Sequence, residues 1–192
     1  MSLILASQSP RRRELLGLFH IPFTVCAADI DESMDPEKSP REEVARVSRA
    51  KALAVPRLPG DVVVAADTIV VCDRRVLGKP RDEADAVRML TMLSGREHQV
   101  MTGLTVLNDQ QAVTCTEVTE IQFRALSPEE IEAYVRTGEP MDKAGAYGIQ
   151  GGAALFAQGL VGDYYNVMGL PVCRLGMILQ EIAPELTQPG KG

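Results

Sequence analysis

Three consecutive arginines open a helix in LASQSPRRREL, residues 5–15. Ser9 is the expected N-cap and Pro10 the first helical position. Aligned backbone dipoles put partial positive charge at that end, so Arg11, Arg12 and Arg13 each cost the helix a few tenths to ~1 kcal/mol. The unpaired N–H groups there attract anions, and a guanidinium fork grips phosphate oxygens in pairs, which makes the triplet a candidate phosphate site. A solvated basic turn is the alternative, and at least one of the three fits it.

Residues 62–66, VVVAA, form the β-branched and small apolar run of a strand buried on both faces, and Asp67 follows directly. A carboxylate at the end of such a strand binds a cation, handles a proton, or else caps a loop or pairs with an arginine. Thr68 beside it is placed to help position a ligand. At ~100° per residue Lys51 projects between Val44 and Val47 on the apolar stripe of its helix, so its head either reaches a cleft or snorkels past the core. Lys79 stands between Gly78 and Pro80 in a turn that presents an ammonium group, but the GxxxxGK[ST] spacing of a Walker loop is absent.

Asp29, Asp31 and Glu32 offer the hard oxygens that Mg²⁺ takes alongside substrate phosphates, with a charged surface loop as the alternative. The stretch DKAGAYGIQGG, residues 142–152, has too many glycines for a helix and suits close backbone approach to a ligand, or simply turns. Gln150 would give it a polar reader for a base edge. His20 and His98 lie in separate elements, so HExxH zinc chemistry is excluded, and no GxSxG elbow accompanies them. Both read as local hydrogen-bonding residues.

The elements that must position these groups follow from caps and periodicity. Residues 2–6 read as a buried strand, with a helix to about Phe19 and a second strand over 23–28. Ser39-Pro40 introduces a helix to about Leu53. A helix over 83–93 closes at Gly95, and two long strands over 97–108 and 112–123 meet in a hairpin at Asn108-Asp109-Gln110. Ser127-Pro-Glu-Glu130 is a capping box whose helix ends at Gly138, short strands follow the glycine-rich stretch, and Pro171 starts the final helix. Without strict βαβ alternation this is a mixed α/β fold.

With 192 residues, 45% hydrophobic and 24% charged, the chain is ordinary globular material, expected as one domain over 1–183 with a flexible tail over 184–192. No apolar run reaches the ~18 residues of a membrane span and no signal segment is visible, so a cytoplasmic protein without membrane contact is expected. A net charge of −6 argues against stable nucleic-acid binding. Cys26, Cys72, Cys115 and Cys173 show no CxxC pairing and read as reduced, buried thiols.

Together LASQSPRRRELL, Asp31-Glu32, SRAKA, AADTIV, GKPRD, HQVMTG, DKAGAYGIQG and NVMGLPV, in order from residue 3 to about 172, resemble the Maf family of nucleoside triphosphate pyrophosphatases. The resemblance implies an elongated, ITPase-like α/β fold with a central substrate cleft, cleavage between the α and β phosphates, and a divalent metal, Mg²⁺ or Mn²⁺. Asp67 matches the family's proton acceptor, while Arg11, Thr68 and Gln150 match the specificity set of the branch acting on dTTP and UTP. The branch acting on 7-methyl-GTP carries an aromatic residue, Gln and Glu at those places.

The implied mechanism has a metal held by Glu32 and Asp67, or by substrate phosphates near them, acidify a water that Asp67 deprotonates for in-line attack. Arg12, Lys51, Lys79 and Arg81 would offset charge on the triphosphate and the departing pyrophosphate. The family's link to septum formation supplies a rival, a nucleotide-binding regulator without turnover. The resemblance also allows a homodimer.

Overall fold

The computed structural model describes residues 1–187. It is a mixed α/β fold with seven strands in one sheet. In chain order the strands are β1 (Leu3–Leu5), β2 (Phe23–Val25), β3 (Val62–Cys72), β4 (Arg75–Leu77), β5 (Glu97–Leu107), β6 (Ala112–Phe123) and β7 (Ala157–Val161). The helices are α1 (Pro10–Gly17), α2 (Pro40–Ala54), α3 (Glu83–Leu93), α4 (Pro128–Val135), α5 (Tyr164–Met168), α6 (Val172–Ile182) and α7 (Pro184–Thr187). Strand order is β2-β1-β3-β5-β6-β7, with β4 against β3.

The chain forms two compact units, and β3, β5 and β6 each contribute residues to both. The first unit holds Met1–Asp67, Thr102–Glu117 and, of the described residues, 169–187. Here β1 pairs in parallel with β2, Leu3 opposite Phe23, and with β3, Leu3 opposite Val62. Parallel neighbours need crossovers, which α1 and α2 supply. One face of this region packs Ile4, Ala6, Ala52, Val55, Val63, Ala65 and Leu107 together. Leu15 and Leu16 of α1 are fully covered, each worth roughly 1.5–3 kcal/mol of burial.

The second unit holds Thr68–Met101 and Val118–Met168. In it β4 pairs antiparallel with β3, Val70 opposite Leu77, and β7 antiparallel with β6, Glu120 opposite Val161. Its core joins Leu90 and Leu93 of α3 to Ile121, Phe123, Ile131, Tyr134, Tyr147 and Phe156. The rings of Phe123 and Tyr147 meet edge to face at 4.8 Å.

Most expected elements stand where their caps put them. Ser39 and Ser127 both form full capping boxes, with Glu42 and Glu130. The hairpin after β5 is closed by Asn108, whose side-chain oxygen accepts from the N–H groups of Gln110 and Gln111. Three corrections follow. β3 does not stop before Asp67 but runs through it to Cys72, because Thr68-Ile-Val-Val-Cys72 is itself β-favouring and an acidic residue can sit in a ladder when its side chain has a partner. The stretch over 142–152, read as too rich in glycine for a helix, overlaps three short 3-10 turns, Glu139–Asp142, Ala144–Ala146 and Gly152–Leu155. Of the cysteines only Cys72 is buried; all four are free, and Cys173 lies exposed on α6.

Of the tail from 184, Pro184–Thr187 form α7 and the rest lies outside the described residues. Among the described residues no helix is long and apolar enough to cross a membrane.

Candidate active site

In the first unit α2 is the element that brings charge to Asp67. It lies tight against β5, because a Cβ on Gly103 would stand 2.6 Å from the Val44 carbonyl carbon and collide with its oxygen. Only glycine at that strand position admits the helix backbone. One turn on, the buried Ser48 hydroxyl shares a 2.9 Å hydrogen bond with Thr105, which shares one of 3.0 Å with Thr114. Lys51 follows on the same helix. Its Nζ donates to Asp67 Oδ1 at 2.8 Å and meets Glu32 Oε1 at 2.9 Å.

Lys51 therefore does not snorkel outward: its side chain is 13% exposed and that of Asp67 12%. Glu32 comes from the loop between β2 and α2, and α2 holds that loop as well. The buried Glu43 carboxylate accepts from the Asp35 N–H at 2.9 Å, and Arg46, paired with Glu43, donates to the Ser33 carbonyl at 2.6 Å. The hydrogen bonds from Arg46 and from Asp35 hold the Glu43 carboxyl below the ordinary range. Asp31 turns back to accept from Ser33 N–H at 2.9 Å, and Asp29 is exposed. Of the three acidic candidates, Glu32 is the one that reaches Lys51.

The arginine triplet divides. Ser9 caps α1, accepting from Arg12 N–H at 3.5 Å. The Arg12 side chain donates through Nε to the Gly169 carbonyl at 2.8 Å and to Ser7 Oγ at 3.2 Å. Burial pulls its guanidinium below the ordinary value, and the nearby charge of Asp67 pulls it back up. A cation half-buried and aimed by a carbonyl and a hydroxyl is not a solvated neighbour. Arg11 is half-buried and Arg13 exposed. The unit thus gathers Arg12, Lys51, Glu32 and Asp67, two cations against two carboxylates.

In the second unit Thr68 is half-buried in β3, next in sequence to Asp67. Lys79 and Arg81 are exposed; the Arg81 side chain lies 3.5 Å from Asp85, which also holds Arg88. The turn carrying Lys79 is tied to the glycine-rich segment by Gly145 N–H donating to the Gly78 carbonyl at 3.0 Å. Gln150 is exposed in that segment. Its glycines at 148, 151 and 152 are approached by side chains of this chain, Lys143, Glu139 and Tyr134.

Asn166, seen in the sequence only as part of NVMGLPV, and His98, read there as a local hydrogen-bonding residue, prove to be buttresses. Asn166 is fully buried and donates to the Val100 carbonyl and to Thr119 Oγ1. His98 shares a 2.8 Å hydrogen bond through Nε2 with the Tyr147 hydroxyl, 49 residues away, so it is not a local residue. Desolvation pushes its ring down to about 4.

Among the described residues no group of three or more His, Cys, Asp or Glu is placed to hold a metal. Mg²⁺, however, commonly takes one or two carboxylates and fills its shell with waters and phosphates. Glu32 and Asp67 place one oxygen each within 3 Å of the same ammonium, so the donor set fits a divalent cation shared with a phosphate.

A relative from Symbiobacterium thermophilum named dTTP/UTP pyrophosphatase is 50% identical over 191 residues, covering 99% of this chain and 98% of that protein. One of the same name from Bacillus cytotoxicus is 48% identical over 173 residues, covering 90% and 91%. Among solved structures, a HAM1 protein from Coxiella burnetii aligns with TM-score 0.50 at 16% identity, over 94% of this chain and 99% of that one, a likeness of fold. The Maf-like protein profile matches residues 2–182, and the chain belongs to the Maf family.

Proposed function

We propose that this protein hydrolyses nucleoside triphosphates, dTTP and UTP foremost, to the monophosphate and pyrophosphate. The relatives' names support the reaction and the two pyrimidine substrates, and they disfavour the regulator without turnover. The observation that carries the chemistry is Asp67, 8% exposed in the middle of β3 with its Oδ1 on Lys51.

A base that takes a proton from water needs a fixed orientation and a neighbour that tolerates both of its charge states. Lys51 supplies the first by a charge-assisted hydrogen bond and the second by sharing its charge with Glu32. When the triphosphate is bound, Arg12 and Lys51 offset its negative charge, with Lys79 and Arg81 as further cations for the departing pyrophosphate. Glu32 and Asp67 would hold the divalent ion, Mg²⁺ or Mn²⁺, which when bound neutralises phosphate charge and makes water more acidic. Arg11, Thr68 and Gln150 are assigned to base selection because they carry the residue types of the dTTP/UTP branch. The family resemblance allows a homodimer, and light scattering tests it.

The test of the function is pyrophosphate release from dTTP, UTP, CTP and dGTP with Mg²⁺ or Mn²⁺, with and without EDTA. Release from dTTP and UTP above the others, abolished by EDTA, is the expected result. Nucleotide binding without release would return the regulator.

A further inference from the structure

Gln150 is the third residue of a tight turn closed by Gly151 N–H donating to the Gly148 carbonyl at 3.0 Å. Within the turn Ile149 is half-buried against the core of the second unit, whereas Gln150 and Gly151 are exposed. Hydrogen bonds hold the backbone on either side of the exposed pair. Gly148 N–H donates to the Tyr134 hydroxyl at 3.1 Å, that hydroxyl donates to Glu139 Oε1 at 2.9 Å, and Gly152 N–H donates to Glu139 Oε2 at 3.1 Å. The two flanks of the Gln150 turn are thus stapled to one phenol and one carboxylate. Lys143 Nζ ties to the same residue, donating to the Glu139 carbonyl at 2.6 Å.

A side chain at either flanking glycine would crowd the groups packed there. A Cβ on Gly148 would lie 2.6 Å from Lys143 Cε, and one on Gly151 would lie 2.6 Å from Glu139 Oε2. Tyr134 is a rigid post, its ring edge-on to Phe156 at 5.1 Å. Burial, with Glu139 beside it, pushes its phenol up, so the hydroxyl stays protonated and keeps donating.

We propose that Tyr134 and Glu139 are positioning residues for base selection, fixing the Gln150 turn so that its amide meets the edge of a uracil or thymine ring. The inference rests on the reading of Gln150 as a base selector. A site built to hydrogen-bond a particular base edge discriminates strongly only while its polar group is held in place. Releasing the staple leaves Gln150 present and unaimed.

The experiment measures kcat and KM for pyrophosphate release from dTTP and CTP in wild type, Tyr134→Phe, Glu139→Ala, Glu139→Gln, Gln150→Ala and the double variant Tyr134→Phe/Gln150→Ala, with melting temperatures for each. Tyr134→Phe keeps the ring and removes only the hydroxyl. It and Glu139→Ala are expected to raise KM for dTTP and to cut the preference for dTTP over CTP about tenfold each, the scale of one or two lost hydrogen bonds, with kcat within about threefold. Glu139→Gln should retain most of the preference, because its amide oxygen still accepts from Gly152 and its amino group can donate to Tyr134. The double variant should discriminate no worse than Gln150→Ala alone.

The inference is overturned if Gln150→Ala loses the preference while Tyr134→Phe and Glu139→Ala keep it. It is equally overturned if the staple variants lose kcat on both nucleotides alike. If Gln150→Ala itself keeps the wild-type preference, the base-selector reading fails and the inference with it. Should Tyr134→Phe fail to fold, the Glu139 pair of variants carries the same comparison.

Discussion

His98 gives a prediction whose size can be worked through. The ring is 2% exposed, bonded to Tyr147 and edge-on to Phe123 at 4.8 Å. Burial lowers its folded value from 6.5 to about 4. Between those two values the unfolded chain binds a proton that the folded chain refuses. The stabilisation from a neutral His98 is therefore complete above pH 6.5 and is lost as pH falls toward 4. Each pH unit of that interval is worth about 1.4 kcal/mol, so about 2.5 kcal/mol should disappear through this residue between pH 7.5 and 4.5.

The assay is urea unfolding followed by circular dichroism at pH 7.5, 6.5, 5.5 and 4.5, in wild type and His98→Phe. The phenylalanine keeps the ring contact and cannot titrate, though it strands the Tyr147 hydroxyl and should start from a lower baseline. Carboxylates titrate alike in both proteins and cancel in the difference. Wild type should therefore lose about 2.5 kcal/mol more than the variant over this range. Parallel curves would refute the claim that His98 is held neutral by burial.

Other consequences concern the scaffold of the site. Gly103→Ala puts a methyl group into the Val44 backbone and should cost about 1–3 kcal/mol and lower kcat by shifting Lys51, read by melting temperature and turnover. Ser39→Ala removes the capping-box hydroxyl of α2 and should cost ~1 kcal/mol by denaturation, with KM for dTTP little changed. Lys51→Gln keeps a donor but removes the charge shared by Glu32 and Asp67, and should reduce turnover on the order of 10²-fold in the pyrophosphate assay.

What the sequence made legible was local. The N-caps at Ser9, Ser39 and Ser127 and the Asn108 turn each rest on contacts a few residues apart, and each formed as its spacing implied. Lys51 was legible as an anomaly, a charge on an apolar stripe, but its two partners were not, since Asp67 lies 16 residues away on another element. Arg12 shows the same limit: one of its partners is a carbonyl 157 residues on, at Gly169. The glycines of GIQGG looked like turn or ligand positions, and Gly103 passed without comment inside its expected strand, because a missing side chain does not say what fills its place. The fold answers with the Val44 backbone at Gly103 and Glu139 at Gly151. Asp67 looked like a strand end because acidic residues disfavour strands, and only the Lys51 pairing makes its place inside β3 intelligible.

The central claim is that Asp67 acts on water while its neighbours hold the nucleotide. Asp67→Asn keeps the shape of the side chain and an oxygen for Lys51, and removes the ability to take a proton. The decisive measurement is pyrophosphate release from saturating dTTP by this variant, alongside its dTTP affinity and melting temperature. Turnover reduced by about 10³-fold or more, with affinity and stability near those of wild type, is the predicted result. Turnover within a few fold of wild type would contradict the account.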